Sequence, residues 1–148
     1  MKKVSKNINK AIFLDRDGTI NYDKGYTYKF SKFKFRLNVV KGLKYLTKKK
    51  YLIFIVTNQA GIAKGKYRIE DVIKLHNKLI KYLLKEKVII NEIQFCPFHP
   101  NALIKKYKKK TNFRKPGNLM IKEILKKLNV DLKKSFMIGD RESDKVAA

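Results

Sequence analysis

Two aspartates one residue apart, Asp15 and Asp17, follow four apolar residues, Ala11-Ile12-Phe13-Leu14, and precede Gly18 and Thr19. An unbroken apolar run of this kind reads as a short strand buried on both faces. Carboxylates at the end of such a strand are costly unless a metal or a phosphate-binding cation balances them. In an extended chain, residues two apart point to the same side, so Asp15 and Asp17 can face one small cavity. Gly18 then lets the backbone turn sharply away. A strand running into an Asp-Gly turn is also ordinary in α/β proteins, so the weight falls on the partners supplied by the rest of the chain.

Those partners stand at the ends of other apolar runs. Residues 51–56 read as a second buried strand, ending in Thr57-Asn58-Gln59, and residues 135–139 as a fourth, ending at Asp140. Thr57 offers a hydroxyl and backbone N–H groups for phosphate oxygens. Lys115, at the mouth of a helix, offers a positive charge for the same oxygens, and Arg114 a fork for a second anionic group. Asp140 with Asp15 makes a hard-oxygen site that suits Mg²⁺, which favours carboxylates together with substrate phosphate and water.

The elements between these positions alternate strand with helix. Residues 21–36 are polar and aromatic without helical period, and read as a loop over the carboxyl end of the first strand. Residues 37–48 carry apolar side chains at 39, 40, 43 and 46, a helix with one buried stripe. Residues 70–85 form a longer helix with 72, 75, 79, 80 and 83 inward. His76 lies beside that face as a packed or half-exposed histidine; no second histidine or cysteine at helical spacing makes it a ligand. Residues 93–96 are the third strand, closed by Pro97 and Pro100, and 102–114 a solvated, lysine-rich loop. Pro116 and Gly117 open a helix to about Leu128, with Leu119, Met120, Ile124 and Leu128 inward. This order specifies an α/β fold: a Rossmann-like, doubly wound parallel sheet with helices on both faces. The strand ends then share one edge, where Asp15, Asp17, Thr57, Asn58 and Asp140 converge.

At 148 residues the chain is expected to be one domain, residues 1–148, with a single sizeable core. No apolar run approaches the ~20 residues of a membrane span, so no membrane association is expected. The basic N-terminus is followed by only four apolar residues and does not read as a secretory signal. A single cysteine, Cys96, points to a reducing cytoplasm. The formal charge of +25 suits a polyanionic partner, but only five of the 37 basic residues are arginines, the residue that reads nucleic acid bidentately. Lysine, asparagine, isoleucine, tyrosine and phenylalanine are all plentiful, as AT-rich codons would produce. The charge is therefore read as compositional, with no specific nucleic-acid partner expected.

The stretches DRDGT, VTNQAGIAKG, RKP and MIGDRESD, in that order, resemble the four motifs of the haloacid dehalogenase superfamily of phosphohydrolases. The resemblance runs over residues 11–148. Within that superfamily the chain is most similar to the D-glycero-D-manno-heptose 1,7-bisphosphate phosphatases and the related histidinol-phosphatases. The loop from Asn21 to Tyr26 and the stretch from Gly61 to Gly65 look like the substrate loops of the heptose enzymes. The resemblance implies that Asp15 is a nucleophile forming an aspartyl-phosphate and that Asp17 protonates the leaving oxygen and then activates water. It implies that Thr57 and Lys115 neutralise the transferring phosphoryl group. Mg²⁺ would be held by Asp15, Asp140 and the carbonyl of Asp17. Asp23, Lys24, Gly25, Tyr26, Asn58, Gln59, Arg114 and Arg141 would contact the rest of a phosphorylated sugar. Only 42 positions separate Asp15 from Thr57, which leaves no room for a cap domain there. The expectation is a monomeric sugar-phosphate phosphatase of surface-polysaccharide metabolism. Polynucleotide 3′-phosphatases share similar D-x-D-G-T, T-N-Q-x-G-I and R-K-P stretches and stand as the alternative, with histidinol phosphate a further candidate substrate. A catalytically idle phosphate-binding module is a third reading, disfavoured because all four motifs keep their reactive residues.

Two departures from the family pattern stand out. The family often carries a structural zinc just before R-K-P; here Cys96 is present, but Phe98 stands where a histidine ligand would be. Thr111 and Phe113 stand where a cysteine pair would be. One thiolate does not make a tetrahedral site, so no structural zinc is expected. His99, next to that position, is read as part of a proline-flanked turn. Relatives also continue past the helix that begins near Ser143 into a further strand. The domain is therefore expected to be C-terminally short, with the fourth strand at an unprotected sheet edge.

Overall fold

The computed structural model describes residues 7–148. Four strands, β1 (Lys10–Leu14), β2 (Tyr51–Asn58), β3 (Glu92–Cys96) and β4 (Phe136–Ile138), form one parallel sheet in the order β3-β2-β1-β4. Among the described residues, α1 (Val39–Lys48), α2 (Ala60–Ala63), α3 (Ile69–Lys85) and α4 (Leu119–Lys127) connect them, and α5 (Glu142–Ala147) follows β4. The register sets Leu14 of β1 opposite Ile55 of β2 and Ile138 of β4. The residues that follow each strand therefore emerge side by side along one edge.

The two-residue period of the strands divides the core into two halves. Ile12, Leu14, Ile53 and Ile55 face α1 and α3, where Leu43, Leu75, Leu79 and Leu83 meet them. Ala11, Phe13, Phe54 and Val56 face the other way, onto Cys96 and onto Met120 and Ile124 of α4. Phe13 and Phe54 stack at 5.3 Å between ring centres. Each fully buried aliphatic or aromatic side chain contributes about 1.5–3 kcal/mol, so β1 and β2, covered on both faces, are the rigid centre on which the site stands. This is the α/β Rossmann-like arrangement expected, with no cap domain between β1 and β2. No helix among the described residues is long and apolar enough to cross a membrane.

Three local expectations need correction. α1 starts at Val39, not at residue 37, after Asn38 in a left-handed conformation (φ 63°), and leaves Leu37 outside the helix and exposed. α4 starts at Leu119, not at Pro116, because residues 114–117 close a turn in which Gly117 N–H donates to Arg114 O. Leu119 and Leu128 are consequently at the helix ends and more than a third exposed; Ile121 and Leu125 pack beside Met120 and Ile124 instead. The sequence reading also passed over α2, a single turn too short to show a period. β4 is an edge strand of three residues, with Phe136 and Ile138 exposed while Met137 packs inward.

Candidate active site

The carboxyl ends of β1 and β2, with the segment before α4 and the start of α5, enclose a cavity of about 450 Å³. Asp15, Asp17, Thr57, Asn58, Gln59, Arg114 and Lys115 line it, and Asp23, Gly25, Tyr26 and Arg141 close its mouth. Eleven positions named from sequence thus reach one space. Lys24 and Asp140 do not line it; they lie in a neighbouring depression with Gly18, Tyr22, Lys34 and Arg36. Lys24 is solvent-exposed, because the loop turns at Gly25 and carries Tyr26, not Lys24, to the cavity.

Asp15 continues β1, its N–H donating to Ile138 O of β4 at 3.0 Å. It is 6% exposed, and burial pushes its carboxyl up to about 6, against the opposing pull of Lys115. Lys115 Nζ donates to Asp15 Oδ1 at 2.9 Å and also to Asp144 Oδ1, so one buried ammonium bridges two buried carboxylates. Reciprocal bonds to Asn58 hold the lysine in place: Asn58 Nδ2 donates to Lys115 O, and Lys115 N–H donates to Asn58 Oδ1, both at 3.0 Å. Asn58 therefore ties the end of β2 to the turn before α4.

Asp17 is held differently. Arg16 Nε donates to its Oδ1 at 3.1 Å, and a terminal nitrogen of the same guanidinium reaches both oxygens at 3.0 and 2.9 Å. Asn21 Nδ2 donates to Oδ1 at 3.0 Å and Gln59 Nε2 to Oδ2 at 3.1 Å. Gln59 Nε2 also donates to Thr57 Oγ1 at 2.9 Å, while the threonine hydroxyl donates to Asn58 O over a long 3.5 Å, a bond that a phosphate oxygen can replace. The amide orientation of Gln59 is fixed from its other end. Its Oε1 accepts from Arg16 and from Tyr67, whose hydroxyl, pushed up to about 12 by burial, stays a donor.

Asp15, Asp140 and Asp144 bring carboxylate oxygens within 4.8 Å of one another, and among the described residues they are the only such group. Asp144 was missed from sequence. It sits in α5, and its second oxygen accepts from Arg141 N–H at 3.1 Å, so it caps the helix and faces Lys115 at once. Its burial at 2% exposure, which no sequence pattern announces, is what distinguishes it from the exposed acid Glu142. Gly18, at φ 87°, passes so close to Asp140 that any Cβ would strike the carboxylate. Gly61 and Lys64, from the stretch that resembles a substrate loop, line the cavity, and Arg16, Ala60, Tyr67, His99 and Ser143 join or line the site without having been assigned to it. His99 does sit in a turn, its Nδ1 accepting from Asn101 N–H at 3.0 Å, and its ring reaches the cavity wall. Arg141 pairs with Asp23 at 3.1 Å across the mouth. Cys96, Phe98 and Phe113 belong to the apolar cluster beneath α4, where Arg114 donates to Phe98 O at 3.4 Å.

A family model described as polynucleotide kinase 3 phosphatase matches residues 10–147. The D-glycero-beta-D-manno-heptose-1,7-bisphosphate 7-phosphatase of Photorhabdus laumondii is 40% identical over 138 residues, 93% of this chain and 73% of that protein. The D-glycero-alpha-D-manno-heptose-1,7-bisphosphate 7-phosphatase of Campylobacter jejuni is 38% identical over 135 residues, 91% and 73%. The crystal structure of D,D-heptose 1,7-bisphosphate phosphatase from B. bronchiseptica, complexed with magnesium and phosphate, superposes with a TM-score of 0.82. It is 27% identical, over 94% of this chain and 74% of that one. Motif order, sheet order and these likenesses agree: the chain belongs to the haloacid-dehalogenase-like phosphatases, in the family that holds the polynucleotide kinase 3 phosphatase model and the heptose bisphosphate 7-phosphatases.

Proposed function

We propose that the chain is a Mg²⁺-dependent phosphomonoesterase, acting as a single monomeric domain, that hydrolyses a small sugar bisphosphate, D-glycero-D-manno-heptose 1,7-bisphosphate in first place. One observation carries the chemistry: Asp15 and Lys115 meet at 2.9 Å at the floor of a cavity whose other wall is Asp17. Asp15 is the nucleophile. Its free oxygen attacks phosphorus, the P–O bond to the sugar breaks, and Asp17 delivers a proton to the departing oxygen. Water, giving a proton to Asp17, then attacks phosphorus of the aspartyl-phosphate; the Asp15 O–P bond breaks, releasing inorganic phosphate and restoring the carboxylate. Lys115 and the Thr57 hydroxyl donate to the transferring oxygens, a task of positioning and charge.

The donor set fits a hard divalent cation: three carboxylates, no nitrogen or sulfur ligand, and a deficit of positive charge once Lys115 is counted. Asp15, Asp140 and Asp144 would hold Mg²⁺, with the Asp17 carbonyl as a further ligand. When bound, the metal offsets phosphate charge and keeps Asp15 ionised. Asp23, Lys24, Gly25, Tyr26, Asn58, Gln59, Arg114 and Arg141 contact the remainder of the substrate, Arg114 being the fork for its second phosphate. The curated relatives at 36–40% identity, named as heptose bisphosphate 7-phosphatases, support the sugar reading, as does the polar lining of the cavity. A chain with one buried, unpaired cysteine suits a reducing cytoplasm.

The matched family description gives the second reading its footing: a 3′-phosphorylated polynucleotide as substrate. Phosphate release with Mg²⁺ is measured from heptose bisphosphate, other sugar phosphates, histidinol phosphate and 3′-phosphorylated oligonucleotides. Preference for the heptose bisphosphate is expected to persist in about 0.5 M salt, where the Debye length falls to about 4 Å and only contacts at close range survive. Faster release from the oligonucleotide, collapsing with salt, transfers the assignment to nucleic acid.

A further inference from the structure

Arg16, between the two aspartates, has no solvent exposure, so each of its donors needs an acceptor inside the protein. Its Nε and one terminal nitrogen are satisfied by Asp17, Thr27 O at 2.8 Å and Gln59 Oε1 at 3.2 Å. The other terminal nitrogen points away from Asp17 and meets His76 Nε2 at 3.0 Å. Guanidinium has no acceptor, so the imidazole must accept, which requires a neutral ring with its proton on Nδ1. Burial and the adjacent guanidinium push His76 down to about 3, which keeps it neutral at any working pH. The ring is braced edge-on against Phe95 of β3 at 5.7 Å between centres. A histidine on α3, 60 residues from Arg16, thus provides the acceptor on the far side of the guanidinium that grips Asp17.

We propose that His76 is a positioning residue for phosphoryl transfer: its Nε2 fixes Arg16, and Arg16 fixes the direction in which Asp17 presents its carboxyl to the leaving-group oxygen. The inference rests on the reading of Asp17 as the proton donor. Without an acceptor at His76, the buried terminal N–H of Arg16 has no partner. The guanidinium then turns toward other carbonyls and its two-point grip on Asp17 is lost. Gln59 still donates to Asp17, so the carboxyl is misdirected but not released.

The test compares wild type, His76→Leu, His76→Gln and Asp17→Asn on two substrates: the sugar phosphate that wild type hydrolyses best, and p-nitrophenyl phosphate, whose leaving group departs without protonation. The readout is the ratio of the two kcat/KM values on one preparation. The folded fraction cancels from that ratio, which reports the phosphorylation step before the common dephosphorylation. His76→Leu is expected to lower kcat/KM for the sugar phosphate about tenfold while the aryl ester changes less than about threefold. His76→Gln, whose amide oxygen can accept from Arg16, should restore the wild-type ratio. Equal losses on both substrates, or a glutamine variant no better than leucine, overturn the proposal. If His76→Leu yields no soluble protein, His76→Asn, whose shorter amide falls short of Arg16, takes its place. Asp17→Asn separates the two claims. If it leaves the ratio at the wild-type value, the proton-donor reading of Asp17 is wrong; if it shifts the ratio and His76→Leu does not, only the positioning role is lost.

Discussion

Lys115 Nζ lies 2.9 Å from Asp15 Oδ1 across 100 residues of sequence, and the same ammonium reaches Asp144. One cation between two buried carboxylates leaves the centre short of positive charge, and Asp140 beside them deepens the deficit. An uncompensated charge in so dry a place is costly, which makes the site ready for a divalent cation and a phosphate together.

Asp15→Asn should remove turnover, by about a thousandfold or more, while leaving the fold intact: the amide is nearly isosteric with the acid but does not attack phosphorus. Steady-state kinetics with circular dichroism on the same sample check both halves. Near-wild-type activity in this variant would end the aspartyl-phosphate mechanism.

Asp144→Asn tests the acid that the sequence reading missed. The Mg²⁺ concentration giving half-maximal activity should rise about tenfold or more, since the proposed ligand loses its negative charge while its amide oxygen can still accept from Lys115. An unchanged Mg²⁺ requirement with a lowered maximal rate would assign Asp144 to orienting Lys115 alone.

The pH dependence of metal binding follows from Asp15. Burial raises its folded value from 3.8 to about 6. The metal-free fold therefore holds the proton more tightly than the unfolded chain does. This contribution to stability is full below pH 3.8 and is lost as pH rises through about 6. It amounts to on the order of 3 kcal/mol at two units of difference. Mg²⁺ needs the ionised form, so the rise in melting temperature on adding it should be clearly larger at pH 7.5 than at pH 5. Equal rises at the two values would show that Asp15 does not bind the cation.

Gly18→Ala should damage activity more than stability. The residue sits at φ 87°, where a Cβ is strained, and the added methyl would displace the Asp140 carboxylate. A loss of about 1–2 kcal/mol in denaturant unfolding is expected, together with a much weaker Mg²⁺ response. Retained metal response would place Asp140 outside the cation site.

Phe113→Ala should destabilise the protein by about 1–3 kcal/mol, because the ring is partly buried in the apolar cluster that supports the turn carrying Arg114 and Lys115. Elemental analysis of the purified wild type should find no stoichiometric zinc. One zinc per chain, retained after Asp15, Asp140 and Asp144 are replaced, would overturn the metal-free reading of the Cys96 cluster.

The sequence by itself determined the strands and the chemistry at their ends. Apolar runs of four to six residues are legible without partners, and Asp15, Thr57 and Asp140 are marked by following them directly. The alternation of strand and helix then dictated a parallel sheet, which brings those ends to one edge whatever the loops do. Only the tertiary structure decided which polar side chains are buried and which way they point. Asp144 and Glu142 are both acids of one short helix, yet only Asp144 faces Lys115. Arg16 reads as a basic residue in a motif, yet it is the most buried charge in the described chain, and its acceptor on α3 lies 60 residues away. Lys24 and Tyr26 are two residues apart, and the left-handed turn at Gly25 and Tyr26 sends only one of them to the cavity. Burial and direction arise from contacts between distant segments, and a local pattern of residue types carries neither.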